Sequence, residues 1–409
     1  MKKIDEMIKQ LCPNGVEMVP LWCVTAWDKK FNAVDKSMQS KIIKYPYLLA
    51  KDLFALDTPE GSIKLLSTGT QSGWTTEEKA GNYLCDGEVV TIPWGKSSKV
   101  INLIKYYKGK FVTADNRIAT SLDKDILNNK YLFYWMLSES DVIDSYYRGA
   151  GIKHPSMYNV LTMQIPLPPL SIQEEIVNVL DKFSELIEKT DEEIALRQKQ
   201  YEYYREKLLL DKSYKKCRII DLLCQPITDG PHTTPQFFEN GIPFVSVDSI
   251  WDGRIHFENK RGYISESFDK ECSKKYKPQR HDVLMVKSGS TTGKVAYVDT
   301  DDNFNIWSPL AAMRVNENTS SRYLFHLLQT SVVQKQVLTK SSQGSQPNLG
   351  MRVLEQFDVA VPPLSKQIEI ASILDKFDTL VNDLSHGLPA EIEARKQQYE
   401  YYREKLLTF

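Results

Sequence analysis

The chain has no apolar run approaching the ~18 residues that a membrane span needs, and MKKIDEMIKQ at its start lacks a signal-peptide pattern. Both absences point to a cytoplasmic protein. It has only six cysteines (Cys12, Cys23, Cys85, Cys217, Cys224 and Cys272), none in a C-x-x-C pair, so free thiols in a reducing compartment are expected rather than disulfides or zinc. Net charge is nearly absent too, at -1, which excludes indiscriminate coating of nucleic acid through a global positive field. Catalytic signatures are equally scarce. There is no G-x-G-x-x-G opening a helix, no Asn/Asp-Pro-Pro-Tyr element, no H-E-x-x-H and no Ser/His/acid constellation. GSTTGK at 289–294 looks like a phosphate loop but fails as one, because Ser288 stands where the first glycine belongs and Val295 where Ser or Thr must meet magnesium.

What the chain does have is segregated charge and length. At 409 residues it is too long for one ordinary core. Bases cluster between Lys96 and Arg117 and again between Lys274 and Lys294, while 171–193 is strongly acidic. Above all it repeats itself. QYEYYREKLL occurs at 200–209 and at 398–407, and PPLSIQEEIVNVLDKF (168–183) matches PPLSKQIEIASILDKF (362–377) at 11 of 16 positions. In the first copy Leu180, Phe183, Ile187, Thr190, Ile194, Arg197, Tyr201, Tyr204 and Leu208 fall at alternating spacings of three and four, a heptad seam that wants a partner helix. The second copy gives Leu374, Phe377, Val381 and Leu384, then resumes at Ile392, Arg395, Tyr399, Tyr402 and Leu406 after an insertion of four residues around SHGLPA, where Gly387 and Pro389 favour a break. The simplest partner for each seam is the other copy, packed antiparallel about an internal two-fold axis. A helix over 183–209 would span roughly 40 Å, the length of a spacer.

The segments before each helix correspond more weakly. VLMVKSGSTTGKVAYV (283–298) parallels VVTIPWGKSSKVINLI (89–104), read as a strand, a Gly/Ser/Lys turn and a second strand. Three polar loops per half have the composition that base edges and phosphates require, with amides for adenine, Arg or Lys for guanine, and hydroxyls or lysines for the backbone. In the first half they are 67–79, 94–99 and 147–156, offering Gln71, then Lys96, Ser97 and Lys99, then Lys153. The second half has 229–236 with His232 and Thr234, 287–294 with Lys287, Ser290, Thr292 and Lys294, and 340–348 with Gln346 and Asn348. On the heptad Tyr203 and Tyr401 point away from the seam, so this extra pair of aromatics is a candidate for holding a partner protein twice.

Together the Pro-Leu junction, L-S-x-Q-x-E-I, L-D-K-F and the Tyr-rich helix end, one copy central and one terminal, resemble the specificity subunit of Type I restriction-modification enzymes over essentially the whole chain. The resemblance implies an α/β (α+β) architecture of two DNA target recognition domains with small mixed sheets, separated by two long antiparallel coiled-coil helices. The boundaries would be 1–165 (with a short helix at 3–11), 166–210, 211–361 and 362–409. It implies no catalysis by this chain and no cofactor or metal of its own. Double-stranded DNA would be recognised as a split target, and two methyltransferase subunits would dock, with restriction/translocase subunits in the full complex. S-adenosylmethionine, ATP and magnesium would be used by those partners. Two other readings compete, an inert scaffold recognising polypeptide and an enzyme acting alone; the second needs a nucleophile or metal site that the motifs do not supply.

Overall fold

The computed structural model describes residues 2–96, 98–342, 347–383 and 387–409. It comprises two compact units, Met1–Glu188 with Ala394–Phe409, and Lys189–Glu393. Among the described residues no helix is long and apolar enough to cross a membrane.

The first unit is built on a mixed seven-stranded sheet. Its central strand Cys85–Pro93 carries the run VVTI, all of it buried, and pairs antiparallel with Lys105–Thr113 through its first seven residues and with Asn116–Ser121 through its last four. Against this sheet packs the helix Asn129–Ser138, apolar nearly all round and buried accordingly. Asn128 starts that helix by accepting from the N–H groups of Lys130 and Tyr131. The second unit holds an antiparallel four-stranded sheet, in the order Thr228–Asp229, Leu310–Met313, Val283–Val286 and Val295–Tyr297, beside a three-stranded mixed sheet. Its corresponding helix, Ser321–Leu328, is capped by Ser320, which accepts from Tyr323 N–H.

Each unit closes on the repeated segments in the same way. Leu170–Leu209 is one helix, whose opening residues Ile172, Ile176 and Leu180 enter the first unit's core together with Leu406 and Leu407 from the end of the chain. In the second unit Tyr201 and Leu209 share a core with Ile370, Ala371 and Leu374 of the helix Leu364–Asn382. Phe183 stacks on Tyr402 at 5.2 Å and 27° in the first unit; Phe377 stacks on Tyr204 at 5.4 Å and 22° in the second. Every described position of the expected seam is buried or half-buried, and Leu384 lies outside the described residues. Each copy thus finds the other, one half-segment in each unit.

Two polar brackets recur beneath the aromatic stacks. Gln173, fully buried, accepts from Asn128 N–H (2.9 Å) and donates to the carbonyls of Ile126 and Pro168 (2.8 Å each). Gln367 does the same with Ser320 N–H (2.9 Å), Pro362 O (2.9 Å) and Asn318 O (3.4 Å). Asp181 accepts from Lys130 (2.9 Å) and Tyr134 (2.6 Å), as Asp375 accepts from Arg322 (2.8 Å) and His326 (2.7 Å).

The second copy breaks where expected. One helix ends at Asn382 and the next, Leu388–Leu407, follows Gly387, whose N–H bonds Asp383 O at 2.9 Å and where a Cβ would sit 2.5 Å from Thr379 O. One local expectation fails. VINLI is not a strand but a 3₁₀ turn, Val100–Asn102, because Val100 N–H is drawn to the Asp144 carboxylate at 2.8 Å; the strand resumes only at Lys105.

Candidate nucleic-acid interface

In the first unit the loops at 94–99 and 147–156 are joined by an antiparallel bridge, Lys96 N–H donating to Lys153 O at 3.2 Å. Below the bridge Trp94 is layered between the Arg117 guanidinium, 3.8 Å from the ring centroid, and the His154 ring at 4.7 Å. His154 Nδ1 is bonded to Trp94 O at 2.8 Å, and Arg117, buried, pairs with Asp115 at 3.0 Å. These contacts fix the hairpin tip on the loop. They also turn Lys96 inward: its side chain is 9% exposed, ion-paired with Asp144 and lying over the Tyr147 ring at 5.1 Å. Partial burial alone would raise the Asp144 carboxyl, but the bonds from Lys96 and Val100 N–H outweigh it and leave it below the usual range. Lys96 therefore organises the loop, and the outward cations of the two loops are Lys99, Arg148 and Lys153, all exposed and without an ion-pair partner among the described residues. Gln71 is exposed on the turn between the strands Ile63–Leu66 and Gly73–Thr75. Ser97 lies outside the described residues.

The second unit joins the corresponding loops the same way. Ser288 and Asn348 form an antiparallel bridge, with Gly289 N–H to Pro347 O at 3.0 Å and Leu349 N–H to Lys287 O at 2.7 Å. Asn348 is exposed, and Gln346 lies outside the described residues. Thr292, half-buried, closes the turn from within, its hydroxyl donating to Gly289 O at 2.7 Å. Gly289 and Gly293 take the left-handed backbone this turn needs; a Cβ on Gly293 would also meet Gln334 Oε1 at 2.7 Å. The turn leads into the strand Val295–Tyr297 and not into a helix, the reverse of a phosphate loop. Ser290 and Lys294 remain exposed.

The third loop of this unit is tied in by charge. The buried Asp229 carboxylate is shared by Lys275, Lys287 (3.3 Å) and His232 (3.4 Å). Lys287 is only 12% exposed there, whereas His232, 74% exposed, reaches outward beside the exposed Thr234. The basic clusters of the sequence are therefore mostly committed. Lys110 pairs with Glu77, Lys277 with Asp269 (2.5 Å) and Arg280 with Asp301 (2.9 Å). These carboxylates come from elsewhere in the chain, and nothing in the sequence pattern announces the pairs.

Tyr203 and Tyr401 are 58% and 57% exposed, each resting edge-on against the next tyrosine at 5.4 and 5.3 Å. Lys207 and Lys405 reach over their rings at 5.6 and 5.8 Å. Each unit so presents the same half-exposed aromatic with the same cation beside it.

Comparison with known proteins agrees with this picture. The Type I restriction modification DNA specificity domain matches residues 41–196 and 233–394. A type I restriction enzyme specificity subunit of Haemophilus influenzae is 32% identical over 343 residues, 80% of this chain and 84% of the relative. A specificity subunit of an Escherichia coli type I restriction enzyme is 32% identical over 308 residues, 72% of this chain and 74% of the relative. The fold is similar to the crystal structure of a type I restriction-modification S subunit from M. genitalium, with a TM-score of 0.58 at 15% identity over 97% of both chains. A chain from a structure of type I restriction-modification complex assembly gives 0.54 at 17% identity, over 97% and 98%. With the family's domain matched twice and its relatives matched across most of their length, this chain belongs to the specificity subunits of type I restriction-modification systems.

Proposed function

We propose that the chain is a non-catalytic specificity subunit that recognises a bipartite DNA target, one half through each recognition domain, and docks methyltransferase subunits, two of them, through its repeated helices. The domains are 1–165 and 211–361, the spacers 166–210 and 362–409. The observation that carries the reading is the pair of loop bridges, Lys96 with Lys153 and Ser288 with Asn348, presented on frames braced at the same repeated positions while the loops themselves differ in sequence. A constant frame suits a constant partner, and differing loops suit different base sequences. Lys99, Lys153, Gln71, His232, Thr234, Ser290, Lys294 and Asn348 are the DNA-facing set, with Ser97 and Gln346 beside them in the chain. Lys96, Lys287 and Thr292 act from beneath by holding the loops. Tyr203 and Tyr401 are the docking residues. S-adenosylmethionine is used by the methyltransferase partners, and ATP with magnesium by the restriction subunits, in the cytoplasm. The test replaces residues 13–165 with those of a relative and sequences the methylated adenines in the host. One half of the motif should change and the other persist; an unchanged motif refutes the reading.

A further inference from the structure

One cation of the first unit is held differently from all those above. The Lys105 ammonium, at the start of the strand Lys105–Thr113, donates to Ser67 O (2.6 Å), Gly69 O (2.6 Å) and Ser67 Oγ (3.0 Å). It has no carboxylate partner among the described residues, whereas Lys96, Lys110, Lys275 and Lys287 each have one. Ser67 Oγ in turn donates to Gln71 O. Carbonyls 67, 69 and 71 are thus gathered inward.

In a planar trans peptide the C=O and the following N–H point in opposite directions, and no peptide bond here is cis. The N–H groups of Thr68, Thr70 and Ser72 are consequently turned to the outer face of the loop. None of them meets an acceptor among the described residues. Three outward amides backed by an uncompensated ammonium, with Lys64 Nζ 3.4 Å from Ser72 Oγ at the loop's end, make a surface of donors and positive potential. Burial, with Lys64 nearby, pushes the Lys105 ammonium down to about 8, as an ammonium lacking a counter-anion requires.

The major-groove edge of every base pair mixes donors with acceptors, but a phosphodiester offers acceptors only, with a negative charge. We propose that the 67–72 turn is a clamp for a DNA backbone phosphate, shaped by Lys105 as its positioning residue, and is not a base-reading loop. This rests on the reading of the chain as a DNA-recognition subunit and deepens it: the first half-site is read by the bridged loops at 94–99 and 147–156, and held in register at 67–72.

The test uses the chain assembled with its methyltransferase subunits and duplexes in which single phosphates are replaced by neutral methylphosphonates. In the unsubstituted complex one replacement in the first half-site should lower affinity several-fold, and in Lys105→Met the same replacement should cost nothing further. Lys105→Met should weaken binding on all sequences, lower the salt slope by about one and leave the methylated motif unchanged. Lys105→Arg should restore affinity. Thr70→Pro, which deletes one outward N–H while keeping Lys105, should also weaken the phosphate coupling, and it guards against misfolding of the methionine variant. A motif altered in its first half, or a complex that binds DNA with no phosphate coupled to Lys105, overturns the inference alone. A complex with no preference among DNA sequences instead overturns the recognition reading on which it rests.

Discussion

His326 gives the second unit a dependence on acid that the first unit does not share through the matching residue. Fully buried, its ring bonds Asp375 through Nε2 (2.7 Å) and the Tyr201 hydroxyl through Nδ1 (3.1 Å), so the neutral ring donates to the carboxylate and accepts from the phenol. Burial pushes its pKa below the ordinary 6.5, the Asp375 bond opposing and the Arg322 cation adding to the effect. The folded state therefore resists a proton that the unfolded state takes up near 6.5. Stability from this group is full above that pH and is lost as pH falls through it. One proton taken up only on unfolding costs at most about 1.4 kcal/mol between pH 7.5 and 5.5, or roughly 3–6 °C for a unit of this size. Burial also tends to raise Asp375, but bonds from His326 and Arg322 outweigh it and hold it below the usual carboxylate range, so its own loss begins only under about pH 4. Scanning calorimetry at pH 7.5, 6.5 and 5.5 should show the second unit's transition falling in the native chain and flattened in His326→Gln, which keeps a donor to Asp375 without titrating. The same slope in both chains would refute the argument.

Asp28 predicts the opposite trend in the first unit. Burial pushes it up to about 7 despite the Ile118 N–H (2.6 Å) and the Lys29 and Arg117 charges, so its contribution is full below about pH 4 and is lost as pH rises through 7. Asp28→Asn should stabilise the first unit by about 2–3 kcal/mol more at pH 8 than at pH 5, read from urea unfolding at the two pH values. Gln173→Leu matches the glutamine in size but strands Asn128 N–H and two carbonyls; a loss of about 2–4 kcal/mol is expected in urea unfolding. A loss below about 0.5 kcal/mol, the scatter of neutral surface changes, would mean the bracket is idle. Tyr203→Ser and Tyr401→Ser should leave melting unchanged, because both rings are more than half exposed, yet each should reduce the methyltransferase that co-purifies. Unchanged stoichiometry in the double variant would remove them from the interface.

The repeated helices were legible because their information is periodic and local: a spacing of three and four names its buried face without reference to anything else. The break before the second decapeptide was legible for the same reason, since Gly387 and Pro389 carry their backbone preferences with them. The candidate interface was legible only as loops. Lys96 and Lys153 are identical letters in polar turns, yet Asp144 draws one inward and leaves the other out. Asp229 does the same to Lys287 while His232 stays exposed. Whether a lysine is spent on a carboxylate depends on contacts across tens to hundreds of residues, and no spacing rule encodes them. Lys105 is hidden on the same account: it reads as one more strand lysine until the carbonyls at 67 and 69 appear beside it.

The brackets explain why the decapeptide stands at the middle and at the end of the chain. Asp181 and Asp375 hold the same place on the repeated helix, but the donors they bind are Lys130 with Tyr134 in one unit and Arg322 with His326 in the other. The carboxylate is constant and its partners need only donate, so the capping helices were free to diverge with their domains. The aromatic stacks admit no such exchange: Phe183 requires Tyr402, and Phe377 requires Tyr204, ring on ring at nearly one distance and angle. Each decapeptide supplies the closing tyrosine for a unit whose phenylalanine belongs to the other copy. Removing the last twelve residues, almost four hundred residues from the first unit's amino terminus, should therefore unfold that unit's helical base and leave the second unit's Tyr204–Phe377 stack intact. Limited proteolysis with mapping of the fragments would read this directly, and preferential cleavage in the second unit would contradict the pairing.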